Sequence, residues 1–70
     1  MPKHSVAKVS EISAFSSESL EDAIDVGIER AVKTLKNVKS AWVAEQHVEV
    51  ENDEIAGYRV NLKVTFILDD

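Results

Sequence analysis

The feature that most constrains the fold is a C-terminal segment, residues 58–68, in which apolar and polar side chains alternate. The large apolar side chains occupy positions Tyr58, Val60, Leu62, Val64, Phe66 and Leu68. The polar side chains between them are Arg59, Asn61, Lys63 and Thr65. This period of two predicts a β-strand with one face on a core and the other face toward polar surroundings.

The length of this strand is also informative. Fully extended, the segment spans about 37 Å, whereas a compact chain of 70 residues is only about 28 Å across. A strand longer than the compact chain cannot be covered along its whole length by the rest of that chain. We therefore expect the chain to be one subunit of a larger assembly, with its function located between subunits.

Composition excludes several functional classes. A single domain over residues 1–70 has a thin core, and such chains commonly gain stability by oligomerisation. The absence of cysteine excludes disulfides and thiol chemistry, and His4 and His47 have no metal-ligand spacing. The first five residues lack the apolar run of a signal peptide, and no segment approaches the roughly 20 apolar residues of a membrane span. A soluble cytoplasmic protein without a membrane partner is expected.

The charge and the motifs argue against two further activities. A formal net charge of −5 leaves no basic stripe for phosphates, so a nucleic-acid partner is not expected. No Ser/His/Asp arrangement appears, and the two glycines, at positions 27 and 57, stand too far apart for a phosphate-binding loop. The chain is therefore predicted not to be an enzyme.

Local patterns predict a β-α-β-β order after a flexible arm at residues 1–5. Residues 6–15 fit a first strand. The serines at 16–19 offer an N-cap for a helix, whose apolar positions keep the i, i+3, i+4, i+7 spacing. They are Leu20, Ala23, Ile24, Gly27, Ile28, Ala31, Val32 and Leu35. A glycine within this stripe costs about 1 kcal/mol relative to alanine, so Gly27 is interpreted as a point of close approach to the sheet.

The second half of the chain predicts a hairpin. Residues 41–51 form the second strand, residues 51–54 a polar tip, and the long alternating strand follows. One helix can cover only one face of such a three-stranded antiparallel sheet, which makes the fold α+β. Counting by twos places Ser40, Trp42 and Ala44 on the uncovered face, with Ala41 and Val43 toward the helix. A tryptophan on an uncovered face requires a partner, either another subunit or a ligand.

Taken in order, these elements resemble the dodecins, small proteins that assemble as hollow dodecamers and, in most members, store flavins. The resemblance covers about residues 6–69. It rests on Ser16-Ser17-Glu18 at the helix start, on Asp22-Ala23-Ile24, Ile28-Glu29-Arg30-Ala31 and Thr34-Leu35 within the helix, and on the final strand from Tyr58 to Leu68.

The resemblance also implies where a ligand binds. Flavin-binding dodecins carry a tryptophan at the start of the second strand, stacked on the flavin ring, and a glutamine just after the aromatic residue that opens the third strand. Here Ser40 stands at the tryptophan position and Arg59 at the glutamine position. Trp42 follows about 6–7 Å further along the same face, where it can line the same cavity. The implied site uses Trp42 as the aromatic surface, Arg59 as the polar or anionic contact, and Ser40 and Gln46 as secondary contacts.

Two alternatives to ligand contact stay open for these residues. Trp42 can instead be an aromatic side chain buried between subunits. Arg59 can instead form a salt bridge with a carboxylate of a neighbouring subunit. Both alternatives keep the assembly and remove the ligand.

The acidic hairpin tip suggests a different ligand. Hard cations such as calcium bind several oxygen atoms, and oligomerisation can bring copies of an acidic cluster together. The candidate cation ligands are Glu49, Glu51, Asp53 and Glu54. The expected function is therefore a homododecameric, non-catalytic store of FMN or riboflavin, with a cation-binding shell or a purely structural oligomer as the alternatives.

Overall fold

The predicted element order is confirmed by a computed structural model of the chain, which describes residues 4–68. The elements are β1 (Ala7–Ser16), α1 (Leu20–Thr34), β2 (Val38–Glu51) and β3 (Glu54–Ile67). Residues 4 and 5 of the predicted flexible arm precede β1, and residues 1–3 lie outside the described part. Both strands of the hairpin begin three or more residues earlier than the alternation predicted.

The strand order of the sheet is β1-β3-β2, and both pairings are antiparallel. The strand with the strongest alternation is therefore the central one. Its even-numbered side chains Val60, Leu62 and Val64 are completely buried under the helix. Its odd-numbered side chains point to the other face, as the period of two predicted.

The helix begins as predicted, with a serine cap. The hydroxyl of Ser19 accepts a 3.0 Å hydrogen bond from the backbone N–H of Asp22. A second link comes from Ser16, whose hydroxyl donates to Asp22 Oδ2 at 2.6 Å and accepts from the Glu18 N–H at 2.9 Å. The Ser19 bond satisfies one of the free N–H donors in the first turn of α1, and the Ser16 bonds tie the start of the helix to the end of β1.

Small residues bring the helix close to the sheet. Ala23, Gly27 and Ala31 are its buried positions. A Cβ added at Gly27 would lie 2.7 Å from Leu62 Cδ1 and 3.2 Å from Ala14 Cβ, so the predicted close approach is confirmed. Val32, at the margin of the predicted apolar stripe, is 54 % exposed.

The β2–β3 hairpin extends beyond the helix. We call residues 45–58 the hairpin arm. Its two-residue turn has positive φ at Asn52 (52°) and Asp53 (64°), the conformation that matches the twist of a tight hairpin. Val48, Val50 and Ile55 are exposed on this arm, because α1 covers β1 and β3 and reaches only the beginning of β2.

The resulting molecule is elongated, with extents of 52 × 19 × 15 Å and a radius of gyration of 14.6 Å. A compact chain of this length has a radius of gyration near 11 Å. The prediction that the final strand is too long for a compact monomer is therefore confirmed. Among residues 4–68, no helix has the length and apolar character that a membrane span requires.

Candidate functional site

The candidate site lies on the sheet surface opposite α1, which we call the open face. The odd-numbered residues of β3 run along its centre, and each has one neighbour from β1 and one from β2. The rows are Phe15–Arg59–His47, Ser13–Asn61–Glu45, Glu11–Lys63–Trp42 and Val9–Thr65–Ser40. The open face thus carries Phe15, Trp42 and Arg59 together with several charged side chains, and the helix covers none of it.

A β-bulge in β2 decides which side chains of that strand share the open face. Val43 pairs with Leu62 and Glu45 pairs with Asn61, so the residue between them, Ala44, has no partner on β3. An extra residue reverses the alternation beyond it. After the bulge, it is the odd-numbered residues of β2 that lie on the open face.

The bulge corrects one predicted position. Gln46 pairs with Val60, which is a core residue, so Gln46 lies on the helix side and the prediction that it shares the face of Trp42 is wrong. Ser40 and Trp42 precede the bulge and do share the open face, as predicted, because their partners are Thr65 and Lys63. Ala41 contacts the helix-side core, also as predicted.

Arg59 is held by its own chain. Its Nε donates to Glu49 Oε2 at 2.9 Å, and its Nη1 donates to Ser13 Oγ at 3.1 Å. The guanidinium carbon lies 5.4 Å from the centroid of the Phe15 ring, within the range of a cation–π contact. Arg59 therefore already has an acidic partner before any second subunit or ligand approaches.

The cations beside Glu49 change the pKa of its carboxyl group. The hydrogen bond from Arg59 lowers the pKa of Glu49 below its usual value, since the guanidinium stabilises the carboxylate. Desolvation opposes the effect, and the charges of Arg59 and His47 add to it. His47 Nε2 is 3.7 Å from the same Glu49 oxygen. The side chains of Arg59 and Glu49 are 36 % and 40 % exposed, so this is a surface ion pair that solvent screens.

Phe15 owes its position to a glycine. A Cβ built on Gly57 would overlap the Phe15 ring and would lie 3.0 Å from the carbonyl oxygen of Ser16. The missing side chain at Gly57 therefore makes room for the ring over which Arg59 lies. The sequence offered a signal for this packing in the aromatic side chain at the end of β1, but the glycine and the ring are 42 positions apart and only the register joins them.

Trp42 occupies a different part of the open face. Its side chain is 49 % exposed and lies directly across from Lys63. Arg59 is four residues further along β3, which is about 14 Å in an extended strand. In the intervening row, Asn61 Nδ2 donates to Glu45 Oε1 at 3.0 Å. One chain therefore brings Ser40 and Trp42 together but keeps Arg59 apart from them.

The predicted cation ligands do not converge within one chain. Glu49 is turned toward Arg59, whereas Asp53 belongs to the turn at the tip. Over residues 4–68, no three acidic or histidine side chains are placed to hold a metal ion. A cation site built from Glu49, Glu51, Asp53 and Glu54 therefore needs ligands from more than one copy.

A second concave feature lies between β1 and α1. It is a cavity of about 600 Å³ with a largely apolar lining that includes Phe15, Val26 and Leu35, and Arg30 at its side. Because β1 is an edge strand, this cavity opens at the margin of the sheet. It is separate from Trp42 and Lys63.

The family model described as Dodecin matches residues 6–69. A search of curated protein sequences finds no significant match. Among solved structures, a dodecin from Streptomyces davaonensis is 34 % identical over 97 % of this chain and 100 % of its own, with a TM-score of 0.90. An arginine-to-alanine variant of the Thermus thermophilus dodecin is 33 % identical over 96 % and 100 %, with a TM-score of 0.88.

A third similar structure is that of a protein described as binding calcium. The calcium dodecin from Mycobacterium tuberculosis, described as a calcium-chelating antigen with a novel calcium-binding site, is 32 % identical. The match covers 93 % of each chain, with a TM-score of 0.81. Proteins similar to this chain in fold and sequence therefore include one that binds calcium.

Proposed function

Because the chain belongs to the dodecin family, we propose that it is a homododecameric, non-catalytic protein that stores a flavin, FMN or riboflavin, between its subunits. The observation that carries the proposal is the half-exposed Trp42 on the uncovered face of an elongated subunit. We place the protein in the cytoplasm, with other copies of itself as partners and with neither nucleic acid nor membrane among them.

The surface of one chain supports assembly. The end of the hairpin arm near the turn has little cover from the chain itself, and Val50 and Ile55, which pair across the arm, are 66 % and 61 % exposed. Apolar surface of this kind is stabilised when another protein surface removes it from water. Closed rings and shells of identical subunits achieve this without leaving free interfaces.

Within the assembly, the ligand site is proposed to form around Trp42. A planar flavin ring stacks on an indole, and such contacts are worth about 0.5–1.5 kcal/mol beyond the area that they bury. Ser40, on the same face, adds a hydroxyl. Arg59 offers donors to a polar ring edge, either from a distance along the same chain or from a neighbouring subunit. Gln46 is left out of the site because it lies on the helix side.

A cation-binding shell is the second candidate function, favoured by the acidic tip of the hairpin arm. Glu51 and Glu54 pair directly across the strands beside the turn, which places two like charges opposite each other and is unfavourable without a counter-ion. Copies of this tip brought together by symmetry would supply the oxygen ligands that calcium requires. The calcium dodecin shows that a similar chain binds this ion.

The proposed function is tested by size-exclusion chromatography with light scattering, recorded at the protein and flavin absorption bands, while FMN or riboflavin is added. We expect a particle of twelve times the 7.8 kDa chain mass that carries flavin absorbance with quenched flavin emission. A colourless particle of that size at saturating flavin would overturn flavin storage. Calcium titration by calorimetry of the same particle then tests the second candidate.

Two variants assign the role of the tryptophan. Trp42→Ala should abolish flavin binding and leave the particle intact if the indole is the ligand platform. Loss of the particle would instead show that Trp42 is an interface residue. Gln46→Ala is the matched control, because it removes a β2 side chain from the opposite face and should leave flavin binding unchanged.

A further inference from the structure

We infer that Lys63, rather than Arg59, binds an anionic group of the ligand, so that the site prefers a phosphorylated flavin to an uncharged one. This inference rests on the proposed flavin function and specifies its ligand class. It comes from the charges of the open face, from the register of β2 against β3, and from the distance between the two cationic residues on β3.

Arg59 and Lys63 differ in whether their positive charge has a partner within the chain. Arg59 donates hydrogen bonds to Glu49 and Ser13 at 2.9 and 3.1 Å. A ligand anion at Arg59 would have to compete with a carboxylate that is already there. Lys63 forms neither an ion pair nor a side-chain hydrogen bond with any residue between positions 4 and 68. Its ammonium is therefore the cation available on the open face of the described chain.

The register places that cation beside the aromatic surface. Lys63 and Trp42 are direct cross-strand partners, and such partners have Cβ atoms about 4.5–5.5 Å apart. The four-carbon stem of a lysine is flexible, so its ammonium can reach the margin of a ring stacked on Trp42 or a substituent of that ring. Arg59, about 14 Å away along β3, has no comparable position in the same chain.

Glu11 is the group that could neutralise Lys63, since it is the lysine's partner on the β1 side. The two do not come within the 4.0 Å of an ion pair in the described structure, and Glu11 is exposed. Exposed pairs of this kind contribute little, about 0–1 kcal/mol. Glu11 therefore leaves the ammonium of Lys63 free to contact a doubly charged phosphate beside Trp42.

The size of the expected effect follows from the chemistry. A phosphate accepts charge-assisted hydrogen bonds from an ammonium, and a partly exposed contact of this kind corresponds to about a tenfold change in Kd. Riboflavin and FMN share the ring and the ribityl chain, and only FMN has the phosphate. The ratio of their dissociation constants therefore isolates the contribution of the anionic group from that of the stacked ring.

The test measures Kd for FMN and for riboflavin by flavin fluorescence quenching, on the assembled protein and on three variants. For the unmodified protein we expect FMN to bind about tenfold more tightly at low salt, with the preference shrinking as salt screens the charges. Lys63→Gln should remove the preference by weakening FMN alone, and Lys63→Arg should retain it. Lys8→Gln, the same charge change on the helix side of the sheet where Lys8 pairs with Phe66, should have no effect.

The outcomes separate this inference from the function on which it rests. If neither flavin binds to the unmodified protein, the proposed function and the inference both fail. Equal affinity for the two flavins, or an unchanged FMN preference in Lys63→Gln, overturns the inference and leaves flavin storage standing. An equal loss of both flavins in Lys63→Gln would also overturn it, because the lysine would then support the ring site and not the phosphate.

Discussion

Arg59 and Glu49 form an ion pair between neighbouring strands of one chain, with the guanidinium Nε 2.9 Å from the carboxylate. The charge of Arg59 is therefore balanced locally. The open face can be assembled against other copies without burying an isolated arginine charge, which would be costly. Lys63, beside Trp42, has no such ion-pair partner among residues 4–68.

The first prediction concerns the pH dependence of this pair. A carboxylate whose folded pKa is lowered adds stability that is fully present above its unfolded pKa and is lost as pH falls through the folded pKa. For Glu49, whose pKa is lowered chiefly by the hydrogen bond from Arg59, the contribution should disappear only under acidic conditions below the ordinary range of glutamate. An NMR titration of the carboxyl group should show its pKa returning toward the usual value in Arg59→Gln. An unchanged pKa in that variant would mean that the pair does not persist in solution.

The second prediction concerns the helix–sheet contact at Gly27. Alanine would gain about 1 kcal/mol in helix propensity, but its Cβ would lie 2.7 Å from Leu62 Cδ1. Overpacking of this kind costs about 1–3 kcal/mol, so Gly27→Ala should lower the free energy of unfolding in urea. Glu29→Ala, at an exposed position of the same helix, is the control and should not. Equal stability of Gly27→Ala and the unmodified protein would show that the helix can shift away from the sheet at little cost.

The third prediction concerns the substituted flavin positions. If Ser40 and Arg59 stand where flavin-binding relatives have tryptophan and glutamine, the double variant Ser40→Trp, Arg59→Gln should bind riboflavin more tightly, by about tenfold for an added aromatic stack and amide contact. Fluorescence quenching measures the change. Ser40→Trp alone, with the arginine retained, shows how much of the gain belongs to the ring. No gain in the double variant would indicate that these two positions do not reach the ligand.

The fourth prediction concerns the hairpin arm. Val50 and Ile55 are cross-strand partners with largely exposed side chains, so a lysine at Ile55 would place a charge in any surface that covers the arm. Ile55→Lys should shift the particle toward monomers in light scattering and lower its thermal midpoint in a concentration-dependent way. Ser17→Lys adds the same charge at an exposed position before α1 and should leave assembly intact. A full-size Ile55→Lys particle would mean that the arm stays in solvent.

Much of the fold was predictable because its signals are local. The alternation in β3 and the spacing in α1 each follow from a face that is buried, and the serine cap at Ser19 follows from orphan N–H groups. The position of Trp42 on the uncovered face could also be predicted, since the pairing with β3 is regular from Ser40 to Val43, where the count by twos was made. Gly27 gave its own signal as a costly residue inside an apolar stripe.

The side chains beyond the bulge could not be placed from the sequence. The residue left out of the ladder, Ala44, is an ordinary strand residue, and no side-chain pattern marks it as unpaired. A bulge is set by the hydrogen-bond register between two strands, which the alternation within one strand does not contain. Counting by twos therefore put Gln46 on the wrong face and overlooked Glu45, which is the residue that meets Asn61.

The order of the strands has a consequence for how the chain folds as it is synthesised. β1 and β2 do not pair with each other, and each depends on β3, which is the last of the four elements to leave the ribosome. The pairing of Ala7 with Ile67 joins the two ends of the described chain. During synthesis the helix can form before β3 is available, but it has no sheet on which to pack. The strands β1 and β2 remain unpaired until β3 follows. The sheet can therefore form only once β3 is available, and the local β2–β3 hairpin can pair before the long-range contact between β1 and β3 is made.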